Sequence, residues 1–146
     1  MNSETTHMTI KEVQEEVIEE FAMFDTWMDK YEHIIELGKD LPDLDEEYKT
    51  KDNIVKGCQS QVWLHTINKD EIIYFEADSD AIITKGLVAL MVRVLSGHRA
   101  DDIVKSTMYF VNKIGLAEHL SPTRSNGLLA MIKQMKLHAL AFSVKQ

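Results

Sequence analysis

Cys58 is the only cysteine among 146 residues, and its surroundings are polar. It sits in Lys56-Gly57-Cys58-Gln59-Ser60-Gln61, a turn-like stretch between β-like segments, and not on an apolar stripe. Free cysteines are usually buried and behave as small inert hydrophobes, whereas loop positions present functional groups on a rigid frame. A thiol that reacts with another molecule must attack as thiolate, be reachable, and then shelter its product from stray thiols. A short mobile loop over an apolar underside meets those needs. Gly57 gives the loop its freedom, and Val62 and Trp63 are candidates for the apolar surface. Lys56 is either a charge that lowers the thiol pKa or an ordinary solvated lysine.

A solitary cysteine also excludes a good deal. It allows no intramolecular disulfide and no Cys-rich metal site, and it suits a reducing compartment. An iron–sulfur scaffold needs several thiolates, and a thiol redox sensor needs a resolving cysteine. A cysteine hydrolase is the main alternative, with Cys58 as nucleophile and His119 or His65 as base; the likeness of Gly57-Cys58 through Trp63 to papain-like stretches does not transfer between families. His65 lies on a strand that should carry it away from Cys58, and His119 is placed at the rim of the site or simply packed. His7, His33, His98 and His138 show no ligand spacing, so neither a metal nor a cofactor is expected.

The formal net charge of −8 opposes a nucleic-acid partner, whose affinity comes largely from Lys and Arg displacing counterions. Residues 1–7 lack the basic start and apolar stretch of a signal peptide, and no apolar run reaches the length of a membrane span. The longest, Ala81 to Leu95, is interrupted by Lys85 and Arg93. The expectation is a soluble, cytoplasmic protein without a membrane partner. Its length and 45% hydrophobic content are those of a single domain with one core.

The elements that must position Cys58 follow from periodicity. Thr9 and Glu12 have capping-box spacing, opening a helix with Ile10, Val13, Val17, Phe21 and Phe24 on its inner face. A second helix runs from about Thr26 to Leu37, with Gly38 as a left-handed cap. Residues 61–67 and 72–77 are β-branched and aromatic, separated by Asn68-Lys69-Asp70, and read as a hairpin. Asn53-Ile54-Val55 adds a short edge strand. Asp78-Ser79-Asp80 caps a buried helix reaching about Ser96, and Gly86 inside it implies a close backbone contact, because Gly there is unfavourable by about 1 kcal/mol relative to Ala. Short helices near 100–105 and 107–114 come next. The last opens at Ser121-Pro122 and runs to about Phe142. The class is α+β: a small antiparallel sheet of about three strands packed against helices.

Three blocks resemble one family. Gly57-Cys58-Gln59-Ser60-Gln61-Val62-Trp63 looks like the active-site signature of SufE proteins. The resemblance continues at Asp78-Ser79-Asp80-Ala81-Ile82-Ile83-Thr84-Lys85-Gly86-Leu87 and returns at His119-Leu120-Ser121-Pro122-Thr123-Arg124-Ser125-Asn126-Gly127-Leu128. It departs at Asn126, where many relatives carry Gln, and over residues 106–111. The resemblance implies a fold similar to the cluster scaffold proteins. It also implies a sulfur carrier whose Cys58 takes persulfide sulfur from a pyridoxal-phosphate-dependent, SufS-like cysteine desulfurase, stimulates it, and delivers sulfur toward Fe–S scaffold proteins. By the same resemblance Gly57, Gln59 and Arg124 support the sulfur site and Asp80 belongs to the desulfurase-docking region. Asp80 could equally stabilise the start of its helix through the dipole. Arg124 in a first helical turn opposes the dipole there, which favours a role toward a thiolate or persulfide anion.

Overall fold

The computed structural model describes residues 8–145; residues 1–7, with His7, lie outside them. Helix α1 spans Ile10–Phe21 and opens on the expected capping box, the Glu12 N–H donating to Thr9 Oγ1 at 3.1 Å and the Thr9 N–H to Glu12 Oε1 at 2.8 Å. It buries Ile10, Val13, Val17 and Phe21. Phe24 lies past its end, edge-on to Phe21 and beside the His33 ring. Helix α2, Trp27–Asp40, is capped by Thr26.

Gly38 does not cap α2. It lies inside the helix, buried, because its job is proximity: a Cβ there would come within 2.7 Å of the Gly86 backbone nitrogen. Gly86 sits in α3, Ile82–Leu95, and a Cβ on it would stand 2.6 Å from Ile34 Cγ2 and 2.8 Å from the Ile34 carbonyl carbon. The two glycines let α2 and α3 meet backbone to backbone, the close contact that an interior glycine implied.

The hairpin is β1, Val62–Lys69, and β2, Ile72–Ser79, paired antiparallel with Val62 opposite Ser79. Its turn falls at Asp70 and Glu71, both at positive φ; Asp70 turns as expected, while β1 extends through Asn68 and Lys69. That conformation matches the right-handed twist of the flanking strands. The third strand is not at 53–55. There Ile54 makes one isolated bridge to Trp63 after a 3₁₀ turn at Lys51–Asn53. The third strand is β3, His98–Arg99, which returns after α3 and pairs with Ile72 and Ile73, giving the order β1-β2-β3. Two residues carry no periodicity, so strand propensity could not reveal it.

Helix α4, Ala100–Lys105, stands where expected. The helix expected over 107–114 shrinks to α5, Phe110–Lys113, for a visible reason. The buried Gln14 amide donates to Thr107 O at 3.0 Å and accepts the Phe110 N–H at 3.1 Å, holding the intervening chain off the helical path. A further short helix, α6, Leu116–His119, follows Gly115 at φ +89°. Helix α7, Pro122–Lys145, closes the fold, the Arg124 N–H donating to Ser121 Oγ at 3.3 Å. The core lies where α1, α3 and α7 meet the sheet, around Val17, Leu64, Ile73, Leu90, Met91 and Met135. No helix among the described residues is long and apolar enough to cross a membrane.

One buried carboxylate ties the hairpin to the chain before it. Asp78, 3% exposed, accepts the Leu44 N–H at 3.0 Å and the Ser79 N–H at 2.8 Å, with Lys85 Nζ at 3.3 Å and Lys49 Nζ at 3.6 Å. Burial alone would raise its pKa; the two N–H donors and the Lys85 ammonium outweigh this and hold it below the ordinary value of 3.8. A carboxyl depressed by folding stabilises above its unfolded pKa, and that contribution disappears as pH falls through the folded value. Asp78→Ala therefore lowers stability at pH 7 by about 2 kcal/mol, the cost of stranded buried donors. The difference from the parent narrows below pH 4 in urea titrations; a constant difference down to pH 2 would contradict the assignment.

Candidate functional site

The cysteine loop, Lys56 to Gln61, is anchored at both ends by the hairpin. At its start the Val55 N–H donates to Val62 O at 2.8 Å. At its end Gln61 O accepts from Ser79 Oγ at 2.8 Å and from the Asp80 N–H at 3.2 Å, while the Gln61 N–H donates to Asp80 Oδ1 at 3.0 Å. Two adjacent strands thus hold six residues as a closed bend. Within it Gly57 takes φ +97°, a left-handed conformation that favours glycine.

Cys58 is half-buried at a cavity of about 110 Å³. The floor is apolar, formed by Val62 of β1, Leu87 and Val88 of α3, and Leu128 and Met131 of α7; Gln59, Thr84 and Arg124 supply polar groups. The Cys58 S–H donates to the Gly127 carbonyl at 3.4 Å. Burial pushes the thiol pKa up from its ordinary value of 9.0. Burial thus favours the protonated thiol in this conformation.

Several expectations meet this geometry and others do not. Cys58, Gln59 and Arg124, far apart in sequence, line one cavity, and Gly57 shapes its loop. The exposed Arg124 guanidinium forms no salt bridge with the described residues, which leaves its charge available at the cavity mouth. Lys56 is exposed and contributes nothing to the thiol pKa, whose shift is one of burial. Of the two residues proposed for the apolar underside only Val62 is there. Trp63 points to the opposite face of β1, as alternation requires, and lies under Lys49 Nζ, 5.4 Å from the ring centroid.

Asp78-Ser79-Asp80 does not cap α3. The N-cap is Ala81, without a side-chain hydrogen bond, because β2 continues through Ser79 and the polar side chains of residues 78–80 are taken by the cysteine loop, Leu44 and Lys85. Asp80 is exposed and bonded to Gln61 at the end of the cysteine loop. Neither histidine weighed as a base lines the cavity. His65 Nδ1 lies 3.0 Å from Glu76 Oε1 with its ring stacked on Tyr48. His119 stacks on Trp27 at 4.5 Å and bonds Gly115 O through Nδ1.

Sequence reasoning missed the role of Gly127, whose carbonyl receives the thiol, and the contribution of α3 and α7 to the floor. A glycine within a long helical run was the available signal, as it had been at Gly86.

Comparisons with known proteins bear on the family and the fold. The family model described as SufE, Fe-S metabolism associated domain, matches residues 15–139. An uncharacterized SufE-like protein of Rhizobium meliloti is 45% identical over 130 residues, covering 86% of this chain and 93% of its own length. SufE-like protein 1, chloroplastic/mitochondrial, of Arabidopsis thaliana is 42% identical over 132 residues, 90% of this chain and 36% of that protein. Among solved structures, the solution structure of a hypothetical protein from Thermus thermophilus superposes with a TM-score of 0.73 at 17% identity, covering 88% of this chain and 94% of that one; at that identity it supports the fold alone.

Proposed function

The chain belongs to the SufE family of Fe-S metabolism associated domains, and from that premise we propose that it is a sulfur carrier which accepts persulfide sulfur on Cys58 from a cysteine desulfurase. The observation that carries this reading is the placement of the chain's sole thiol, on a short anchored bend over an apolar cavity with a free guanidinium at its mouth.

The step balances without an oxidant. The Cys58 thiolate attacks the terminal sulfur of the donor's persulfide, the donor S–S bond breaks, and the donor cysteine leaves as thiolate while Cys58 becomes the persulfide. Removing sulfur from the donor frees it for another turnover, which is how an acceptor stimulates it. The product persulfide is ionised more readily than a thiol, and Arg124 is placed to pair with that anion. Sheltered over Val62, Leu87 and Leu128, it is then delivered toward iron–sulfur scaffold proteins. The donor is a SufS-like, pyridoxal-phosphate-dependent enzyme that docks on the face holding Asp80. The protein works in the cytoplasm, as one SufE-like domain and as an accessory protein. With no histidine among the described residues that line the cavity, a hydrolase lacks its base there.

The test is desulfurase turnover with and without the chain. Addition should raise turnover, and chain alkylated at Cys58 beforehand should leave it at the basal rate. Arg124→Ala should slow sulfur transfer about tenfold, as loss of one charge-assisted contact to a developing anion does, with partner affinity retained. Transfer at the full rate would remove Arg124 from the site, and stimulation by alkylated chain would remove Cys58.

A further inference from the structure

Two positions on α7 face the cysteine loop closely. The Gly127 carbonyl receives the Cys58 S–H at 3.4 Å, and a Cβ built on Gly127 would lie 3.5 Å from the sulfur, in ordinary van der Waals contact. Three residues on, Ala130 presents its methyl group to Gly57: a Cβ added to Gly57 would stand 3.1 Å from Ala130 Cβ, tighter than nearly all real contacts. Residues three apart share a helical face, so both contacts lie along one strip of α7. Of their neighbours on the helix, Leu128 is buried in the floor of the Cys58 cavity and Leu129 points into solvent.

We propose that Ala130 is a positioning residue for sulfur transfer: its methyl group is the stop against which Gly57 seats, and the size of that group sets whether Cys58 rests on the Gly127 carbonyl or stands free in solvent. This rests on the reading of Cys58 as the acceptor and adds what holds it at rest. The loop between Val55 and Gln61 is fixed at its two ends by the hairpin, so a push at Gly57 cannot be absorbed by sliding the strands. It must lift the bend. Lifting the bend by the size of a few methyl groups breaks the S–H contact with Gly127, and the sulfur leaves its apolar seat for water. A persulfide on the same atom would lose its shelter with the thiol.

The test uses the free protein and a bulky maleimide, with no desulfurase present. The parent should label slowly at Cys58. Ala130→Leu, which keeps a good helix former on α7, should label about tenfold faster, as expected when a minor open state becomes the major one. Its labelling should also begin at lower pH, since the released thiol is no longer pushed up by burial. Ala130→Ser, of similar size, should label like the parent. Leu116→Ala, destabilised in the core at a distance from the loop, should do so too at temperatures below its transition. Ala130→Val adds less bulk at the same point, on a helix whose register is unchanged, and should accelerate labelling as well. Parent-like labelling of both Ala130→Leu and Ala130→Val would overturn the proposal, as would equal acceleration in Leu116→Ala; should Ala130→Leu not fold, Ala130→Val decides alone. Because no donor enzyme is present, this result is separate from whether Cys58 accepts sulfur.

Discussion

Cys58→Ser abolishes stimulation of the cognate desulfurase and leaves the thermal midpoint of the protein within a few degrees of the parent. One heavy atom changes, on a loop, and its hydrogen bond to the Gly127 carbonyl can be made by a hydroxyl. The fold therefore has no reason to respond: a substitution of this kind outside the core falls within about 0.5 kcal/mol. The chemistry has every reason to. A serine hydroxyl is not ionised at neutral pH and forms no bond with the outer sulfur of a persulfide that could carry it onward, so the acceptor function is lost outright. Coupled turnover of desulfurase with this variant, beside circular dichroism melting, reads both halves. Retained stimulation would show that activation comes from docking alone and that no sulfur passes through the side chain.

Gly86→Ala produces the largest loss of stability expected from a one-carbon change. In an open helix the substitution would stabilise by about 1 kcal/mol, because Ala is the better helix former. Here the added carbon would lie well inside contact with Ile34, 2.6 Å from its Cγ2 and 2.8 Å from its carbonyl carbon. Backbone cannot rotate away as a side-chain tip can, so α2 and α3 must separate, and the core beneath them around Ile34 and Leu90, both fully buried, must repack. Overpacking of this severity stands at the upper end of the usual range, about 3 kcal/mol, which lowers the midpoint by about 10 °C for a domain of this size. An unchanged or higher midpoint would mean that the helices are not in backbone contact. Gly38→Ala should act in the same direction from the other side of the same contact, and the two losses should not add.

How much of this was legible beforehand depends on the range of the interaction that decides each element. Local chemistry was read well. The capping box at Thr9 and Glu12, the hairpin, the Ser121-Pro122 start of α7 and the backbone contact implied by Gly86 all follow from residues within a turn or two of each other. Readings failed where a distant partner decides. Gly38 looks like a cap until Gly86 is placed beside it. Residues 107–109 are held off a helix by Gln14, more than ninety positions earlier. Asp78 and Asp80, polar residues ahead of a helix, look like caps but are engaged by Leu44, Lys85 and Gln61 across the sheet.

The site divides in the same way. Cys58 could be named from its local context, and Arg124 from the block it occupies, yet nothing short of the fold shows that both line one cavity. Lys56 adjoins the cysteine in near sequence but is solvated, while the atom that receives the thiol belongs to Gly127, on another element. The fold brings these together by a simple means: the hairpin pins the bend, α3 supplies the floor, and α7 supplies the wall against which the bend closes.

The central claim is that sulfur becomes covalently attached to Cys58, and intact mass spectrometry after mixing the protein with a desulfurase and free cysteine tests it most directly. The account predicts a gain of about one sulfur atom, or a small whole number of them, reversed by an added reducing thiol and missing from Cys58→Ser. An unchanged mass while the desulfurase is turning over in the same tube would contradict it.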